Sequence, residues 1–213
     1  MKTISFLKTI AAYGFLAFFS YLMLLITLQY IPLRLDVAFL QIKEEVIQHR
    51  YYQIAFFSHV YTSMFVLLTG FTQFSTYFRQ HYKKAHRVIG KIYVFIILFI
   101  SGPSGFIMAC FANGGIIAQT AFCLLAICWM IFTYLAFATI KRGDIVAHKK
   151  WMYRSYALTL SAISLRLWKW GIVLAFEPRP MDVYRIVAWL GWVGNLLIAE
   201  WLILTKQQNR FLA

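Results

Sequence analysis

The stretch KKAHRVIGKIYVFIILFISGPSGFIMACFA, residues 83–112, decides how this chain is organised. It begins with clustered cations around His86 and continues as an almost uninterrupted apolar run. An α-helix needs about 20 predominantly apolar residues to cross a bilayer. The stretch therefore predicts a membrane-spanning helix over about 88–112, with a basic loop before it. Because Gly102 and Pro103 fall inside the run, a kink is expected there.

Five further apolar runs accompany this one, at about 9–30, 52–74, 115–140, 151–176 and 183–205. The 213 residues are 62% hydrophobic and 13% charged, whereas soluble domains are nearer half apolar and a quarter charged. Transmembrane strands would be shorter segments of alternating polarity, which the chain lacks. The sequence therefore predicts an all-α integral membrane protein with six transmembrane helices, numbered one to six, in one domain over 1–213.

The positive charges concentrate in two of the loops between these runs. The second and fourth loops are strongly basic, whereas the first, third and fifth are balanced or uncharged. The positive-inside rule then places both termini and the two basic loops in the cytoplasm, in the inner (plasma) membrane. Topology and anionic lipid account for the net charge of +14, so no nucleic-acid partner is expected.

Two further predictions concern the first loop and the three cysteines. Leu35, Phe39, Ile42 and Val46 recur at helical spacing among charges, which predicts a short amphipathic helix in the first loop. The three cysteines lie inside apolar runs without metal-type or paired spacing: Cys110, Cys123 and Cys128. They are interpreted as packing residues, with no disulfide frame and no zinc site.

Polar residues recur at helical spacing on three of the predicted helices. Helix two carries His59, Ser63, Gly70 and Gln73, helix three carries His86, Gly90 and Tyr93, and helix five carries His148, Ser155, Thr159, Ala162, Arg166 and Lys169. Ionisable side chains within membrane helices usually face the bundle interior or a wet cavity. The spacing therefore predicts a shared polar interior between helices two, three and five.

The two histidines at the cytoplasmic ends are the best candidates for a cofactor site. His86 and His148 stand at matched depth on different helices, as the two axial ligands of a b-type haem iron do. Gly90 would let a flat macrocycle approach the backbone closely. Arg87 and Arg154 are candidate partners of the haem propionates. The alternative interpretation is that both histidines make lipid-headgroup contacts or structural hydrogen bonds.

A second group of polar residues lies in the outer half of the predicted membrane region. His59, Arg166, Lys169 and Gln119 fall at similar depth and would form a cationic pocket for an anionic headgroup, a quinone or a transported anion. Lys169 also lies near enough to the outer edge to extend its ammonium group to the interface instead.

Several motifs of this chain resemble a bacterial family of predicted membrane proteins, domain of unknown function 2306. They are Gly70-x-x-Gln73-Phe74, Arg79, His86-Arg87-x-x-Gly90-x-x-Tyr93, His148-x-x-Trp151-Met152-x-Arg154-Ser155-Tyr156-Ala157-Leu158 and Leu165-Arg166. The family resemblance implies no particular activity.

More distantly, the histidine pattern resembles the six-helix transmembrane b-type cytochromes of the ascorbate-reducible class. This resemblance implies a four-helix core of helices two to five, with His86 and His148 as inner axial ligands and His59 as an outer ligand. Helix four lacks the histidine that would complete an outer haem, so a protein with one inner haem, or a haem-free relative, is expected rather than a di-haem protein.

Three functional hypotheses follow from the sequence. The first is a haem b electron-transfer or oxidoreductase subunit, with a quinone or another redox partner. The second is a haem-free transporter that uses the outer cationic pocket. The third is a structural subunit of a larger membrane complex or homo-oligomer, in which polar faces hold helices together.

Overall fold

The structure is a computed structural model that describes residues 2–43 and 45–211, without the side chains of residues 2–6, 8, 9 and 206–211. The terminal cations that contribute to the predicted orientation, and one acid of the first loop, lie outside the described side chains: Lys2, Lys8, Lys206, Arg210 and Glu44.

Six helices, named helix one to helix six, follow one another through the described residues. Their bounds are Lys2–Leu28 for helix one, Arg50–Leu68 and Gly70–Gln73 for helix two, Lys83–Ile96 and Gly102–Cys110 for helix three, Ile116–Lys141 for helix four, Ile145–Thr159 and Ser161–Phe176 for helix five, and Pro180–Phe211 for helix six. A short helix, Thr76–His81, lies in the loop between helices two and three.

Helices one, two, three, four and six are each long and apolar enough to cross a membrane. Helix five also qualifies when its two parts are taken as one span, although they meet at an angle of 44°. The prediction of an all-α integral membrane protein is thereby confirmed, and the count of six spans includes this bent helix. Large apolar side chains on the outward faces remain exposed, as lipid-facing surfaces require.

Helix three contains a π-helical turn next to the position where a kink is expected from the sequence. A π-helical turn, Ile97–Ser101, precedes Gly102 and Pro103 and joins the two α-helical parts. Pro103 lacks the backbone N–H that a continuous α-helix would use at this position. A Cβ atom on Gly102 would lie 2.4 Å from the Ile97 carbonyl oxygen and 2.5 Å from Met130 Cγ. Glycine is therefore required where helix three packs against helix four.

Helices two to five pack side by side, and helix six lies against helices four and five. Tyr93, Ile97, Trp129 and Tyr156 form the centre of the buried core together with Trp192 of helix six. Helix one packs mainly on helix two and touches the second half of helix five. Helix six therefore contributes to the core, which the resemblance had assigned to helices two to five alone.

The first loop is not the single amphipathic helix that its spacing predicts. It forms two 3-10 turns, Ala38–Ile42 and Val46–Gln48, which bury Leu40 and Ile47. These side chains pack with Tyr30, Tyr52 and Phe56 at the ends of helices one and two. Leu35 and Ile42, two members of the predicted apolar stripe, are exposed. Packing against the ends of helices one and two therefore stabilises the loop, and not an amphipathic helix within the loop.

Lys43 fastens the first loop to the end of helix three. Its side chain is only 5% exposed and donates hydrogen bonds to the Phe111 carbonyl oxygen and, over 2.5 Å, to Asn113 Oδ1. Burial lowers the pKa of Lys43 because it removes water from around the charged form. This contact joins parts of the chain about seventy residues apart.

Candidate functional site

His86 and His148 lie at the same end of two helices that run in the same direction. Tyr93 follows His86 by seven residues, Ser155 follows His148 by seven residues, and the Tyr93 hydroxyl lies 2.8 Å from Ser155 Oγ. Seven residues correspond to about 10 Å along an α-helix. The buried Tyr93–Ser155 hydrogen bond therefore fixes helices three and five in the register that places both histidines at one depth.

The ring of His148 is oriented by helix four. Its Nδ1 atom lies 2.8 Å from the carbonyl oxygen of Ala136, which is fully buried. A carbonyl oxygen only accepts hydrogen bonds, so Nδ1 carries the proton and Nε2 of the neutral ring keeps a free lone pair. Metal-binding histidines are commonly held in this tautomer by a carbonyl group on the other ring nitrogen.

The His86 ring has a polar atom whose hydrogen-bonding capacity is unused. Nδ1 is buried and has no hydrogen-bond partner among the described residues. The ring lies within electrostatic range of His148, Arg79 and Arg87. A buried, unpartnered ring nitrogen is costly unless a ligand or a water molecule satisfies it. The structure thus brings the two predicted ligands together, with an available nitrogen on each.

Gly90 lies on the same face of helix three, one turn deeper than His86. A Cβ atom at Gly90 would stand 3.2 Å from Oε1 of Gln73, which reaches across from the end of helix two. Gln73 is buried, and its side-chain amide donates a long hydrogen bond, 3.4 Å, to Thr72 Oγ1. In this structure the space beside Gly90 therefore holds the Gln73 amide, a second polar group that faces the histidine end of the bundle.

The two arginines predicted to hold propionates differ in their surroundings. Arg87 is exposed near the start of helix three, directly after His86. Arg154 instead donates two hydrogen bonds to Glu200 of helix six, over 2.5 and 2.8 Å, and its guanidinium lies 4.6 Å from the Trp151 ring centre. Bidentate pairing with a carboxylate occupies the face with which a guanidinium would bind a propionate. Arg154 therefore joins helices five and six, and Arg87 keeps its donors available.

A buried hydrogen-bond network closes the site on its membrane side. One assignment gives each hydrogen an acceptor: Tyr93 donates to Ser155, Ser155 to Thr133, and Thr133 to the Trp129 carbonyl oxygen, while the Trp129 indole donates to Thr159. Thr159 then donates to the Tyr93 oxygen over 3.2 Å. Because each of these polar groups finds a hydrogen-bond partner within the network, the network stabilises one arrangement of helices three, four and five.

The buried network lies between helices three, four and five, whereas the sequence predicts a polar interior between helices two, three and five and leaves out helix four. Trp129 and Thr133 stand four residues apart on helix four and face Ser155 and Thr159. The i, i+4 spacing of an indole and a hydroxyl in an apolar run was the signal available in the sequence. Asn195 of helix six was also missed.

Asn195 joins the two parts of the bent helix five. Its amide N–H donates to the Ala157 carbonyl oxygen over 3.0 Å, and its Oδ1 accepts from Ser164 over 2.8 Å. Ala157 precedes the break at Leu160 and Ser164 follows it. The side chain of one helix therefore spans the bend of another.

His59 occupies a separate position between helices two, three and four. Its Nδ1 atom donates to the Ser101 carbonyl oxygen over 2.8 Å, and the ring centre lies 6.5 Å from that of Trp129. A Cβ atom on Gly105 would stand 2.8 Å from the ring. The π-helical turn and a glycine thus make room for His59, which the resemblance had implied as an outer haem ligand.

The four residues of the predicted outer pocket do not form one hydrogen-bonded group. Among the described residues, no hydrogen bond or ion pair joins any two of His59, Gln119, Arg166 and Lys169. Arg166 donates to the Ala162 carbonyl oxygen on its own helix over 2.6 Å, and Lys169 is exposed. Gln119 lines a cleft beside the first loop. The sequence predicts similar depths in the membrane for these four residues, but their side chains contact different neighbours.

The donor set at the inner end fits a haem better than a bare metal ion. Among the described residues, no three His, Cys, Asp or Glu side chains converge. A haem iron needs only one or two ligands from the protein, because its macrocycle supplies the rest. His86 and His148 offer two neutral imidazoles, and the exposed cations Arg87 and Lys149 stand beside them.

Comparison with known proteins gives this chain a family. Residues 56–203, more than half of its length, match the family described as predicted membrane protein (DUF2306), and the chain belongs to that family. No significant match is found among the curated proteins or among the solved structures.

Proposed function

We propose that this membrane protein holds one b-type haem between helices three and five, and that it serves as an electron-transfer or oxidoreductase subunit. The observation that carries the proposal is the pairing of His86 with His148. The two rings lie at one depth and within electrostatic range, and each has a ring nitrogen free to coordinate. When bound, the haem would supply one-electron redox chemistry.

Each neighbouring group has a distinct task in this proposal. The Ala136 carbonyl oxygen orients His148 and favours the neutral tautomer whose proton is on Nδ1. The buried network around Tyr93 fixes the spacing of the two helices and limits how deep a macrocycle can lie. Arg87, Lys149 and Lys150 stand at the open end of the site, where they suit carboxylate groups.

The positive-inside rule supports a position of this site at the cytoplasmic surface of the inner membrane, with both termini on the same side. A redox partner is then a quinone in the bilayer or a carrier at the cytoplasmic face. A partner subunit or a second copy would cover part of the exposed apolar outer surface.

The test is a spectrum of the purified protein in mild detergent. We expect a Soret band and, in the dithionite-reduced minus air-oxidised difference, the sharp bands of a low-spin b-type haem. His86→Ala and His148→Ala should each remove or shift these bands, because a lost axial ligand changes the spin state of the iron.

His49→Ala and His81→Ala are the matched controls, since both histidines lie outside helices one to six and are exposed. These variants should keep the spectrum of the unchanged protein. Monodisperse elution of all four variants excludes misfolding as the cause of a lost band. Wild-type protein that lacks a Soret band, even after haem is added, would contradict the proposal.

A further inference from the structure

Two thiols that the sequence separates are neighbours at the end of the bundle opposite the histidine pair. Sγ of Cys110, the last residue of helix three, lies 4.0 Å from Sγ of Cys123 on helix four. The sequence reasoning interpreted all three cysteines as packing residues. Cys128, five residues further along helix four, has no such neighbour among the described cysteines.

An open cleft leads to this thiol pair. It has a volume of about 630 Å³, and Cys110 contributes to its wall beside Phe111, Gln119 and residues of the first loop. Cys110 is exposed and Cys123 is half-buried. Clefts of this volume accept small molecules. A reagent that enters the cleft therefore meets Cys110 first, with Cys123 directly behind it.

The surrounding backbone is fastened at both sides of the pair. Lys43 donates to the Phe111 carbonyl oxygen and to Asn113, immediately after Cys110. Arg185 of helix six donates to the Gly114 carbonyl oxygen over 3.0 Å. These contacts hold the turn between helices three and four, so the two cysteines stay adjacent. A disulfide bond of about 2 Å then requires small side-chain rotations rather than a change of fold.

We propose that Cys110 and Cys123 are a reversible dithiol–disulfide couple that exchanges with a low-molecular-weight disulfide entering the cleft. The Cys110 thiolate attacks one sulfur of the small disulfide, forms a mixed disulfide and releases one thiolate. The Cys123 thiolate then attacks Cys110 Sγ, forms the intramolecular disulfide and releases the second thiolate. The two protons lost by the cysteines neutralise the two released thiolates, and the small disulfide takes up the two electrons.

The predicted topology supports this chemistry. The positive-inside distribution places the cleft on the side away from the cytoplasm, where disulfides form and persist. The proposal does not depend on haem binding, because the two sites lie at opposite ends of helix three.

The experiment uses the purified full chain in mild detergent, equilibrated with glutathione buffers of increasing oxidised fraction. After acid quenching, the protein is denatured in SDS and every free thiol is labelled with a high-mass maleimide. We expect a transition from three labels to one, since the chain has three cysteines and only Cys128 stays reduced. The intact mass of the oxidised form should fall by two hydrogen atoms.

Two variants assign the disulfide. Cys128→Ala should pass from two labels to none, while Cys110→Ser should keep two labels at every buffer composition. Wild-type protein that keeps three labels in the most oxidising buffer overturns the proposal, as does oxidation only to a disulfide-linked dimer. Exchange that is faster with an oxidised thioredoxin-type protein than with oxidised glutathione overturns the choice of a small-molecule partner.

Discussion

The packing of helix two on helix five can be tested at Gly70. A Cβ atom at this position would lie 1.8 Å from the Tyr156 hydroxyl oxygen and 2.1 Å from Cζ of the same ring. The ring is buried, packs 4.8 Å from the centre of Phe74, and donates a hydrogen bond to the Leu67 carbonyl oxygen. Gly70→Ala therefore forces the ring away from its acceptor.

The magnitude follows from three contributions. Overpacking a buried contact costs about 1–3 kcal/mol. Loss of the Tyr156 hydrogen bond costs about 1 kcal/mol more. Alanine in place of a helical glycine returns about 1 kcal/mol. The net destabilisation is about 2 kcal/mol, which corresponds to a fall of roughly 4–8 °C in melting temperature for a chain of this size.

The assay is thermal unfolding in one detergent at one heating rate. Gly194→Ala is the matched control, because a Cβ atom there meets nothing within 4 Å, and it should melt at or slightly above the wild-type temperature. In a Tyr156→Ala background the Gly70→Ala penalty should disappear, since the opposing atoms are gone. A Gly70→Ala variant as stable as the wild type, or a penalty that persists in that background, would refute this reasoning.

Three further predictions concern side chains that join helices, each measured by the same unfolding assay. Glu200→Met should destabilise the protein more than Arg154→Met, because it leaves the less exposed partner unpaired: the Arg154 side chain is 20% exposed and that of Glu200 is 41% exposed. The double variant should lose less stability than the two single variants together. Tyr93→Phe should cost only about 1 kcal/mol, since both hydroxyl partners retain another hydrogen bond, and a cost above about 3 kcal/mol would mean that the network has no such redundancy. Gly105→Ala should cost about 2 kcal/mol by displacing the His59 ring from its carbonyl acceptor, and an unchanged melting temperature would show that the ring is free to move.

The matched depth of the two candidate ligands could be predicted because each histidine stands where a basic loop meets an apolar run on the same side of the predicted membrane. His86 and His148 each precede by seven residues a polar side chain on the same helix face, and parallel helices convert equal spacing into equal depth. The membrane class followed from run length and composition for the same reason. Run length, composition and position at a membrane boundary can each be seen in the sequence of one helix, so they can be predicted without knowing which helices pack together.

Contacts between distant parts of the chain could not be predicted in this way. The sequence does not state that Lys43 reaches Asn113 or that Cys110 meets Cys123, because these contacts arise only when whole helices have packed. The Arg154 donors suit either a haem propionate or Glu200, and in the packed structure they bind Glu200 of helix six. The bend at Leu160 has neither proline nor glycine at the break, so its sequence carries no clear signal.

The π-helical turn in helix three has a consequence for the length of the chain itself. Such a turn corresponds to one extra residue in an otherwise α-helical segment. Because the wider turn absorbs that residue, removing one residue from 97–101 would restore a continuous α-helix and leave the two halves of helix three facing nearly as they do now. His86 and Tyr93 would keep their positions, Gly105 would still face His59, and Cys110 would still lie beside Cys123. Removal of one residue elsewhere in helix three would instead rotate one end against the other by about 100° and separate the groups that now meet.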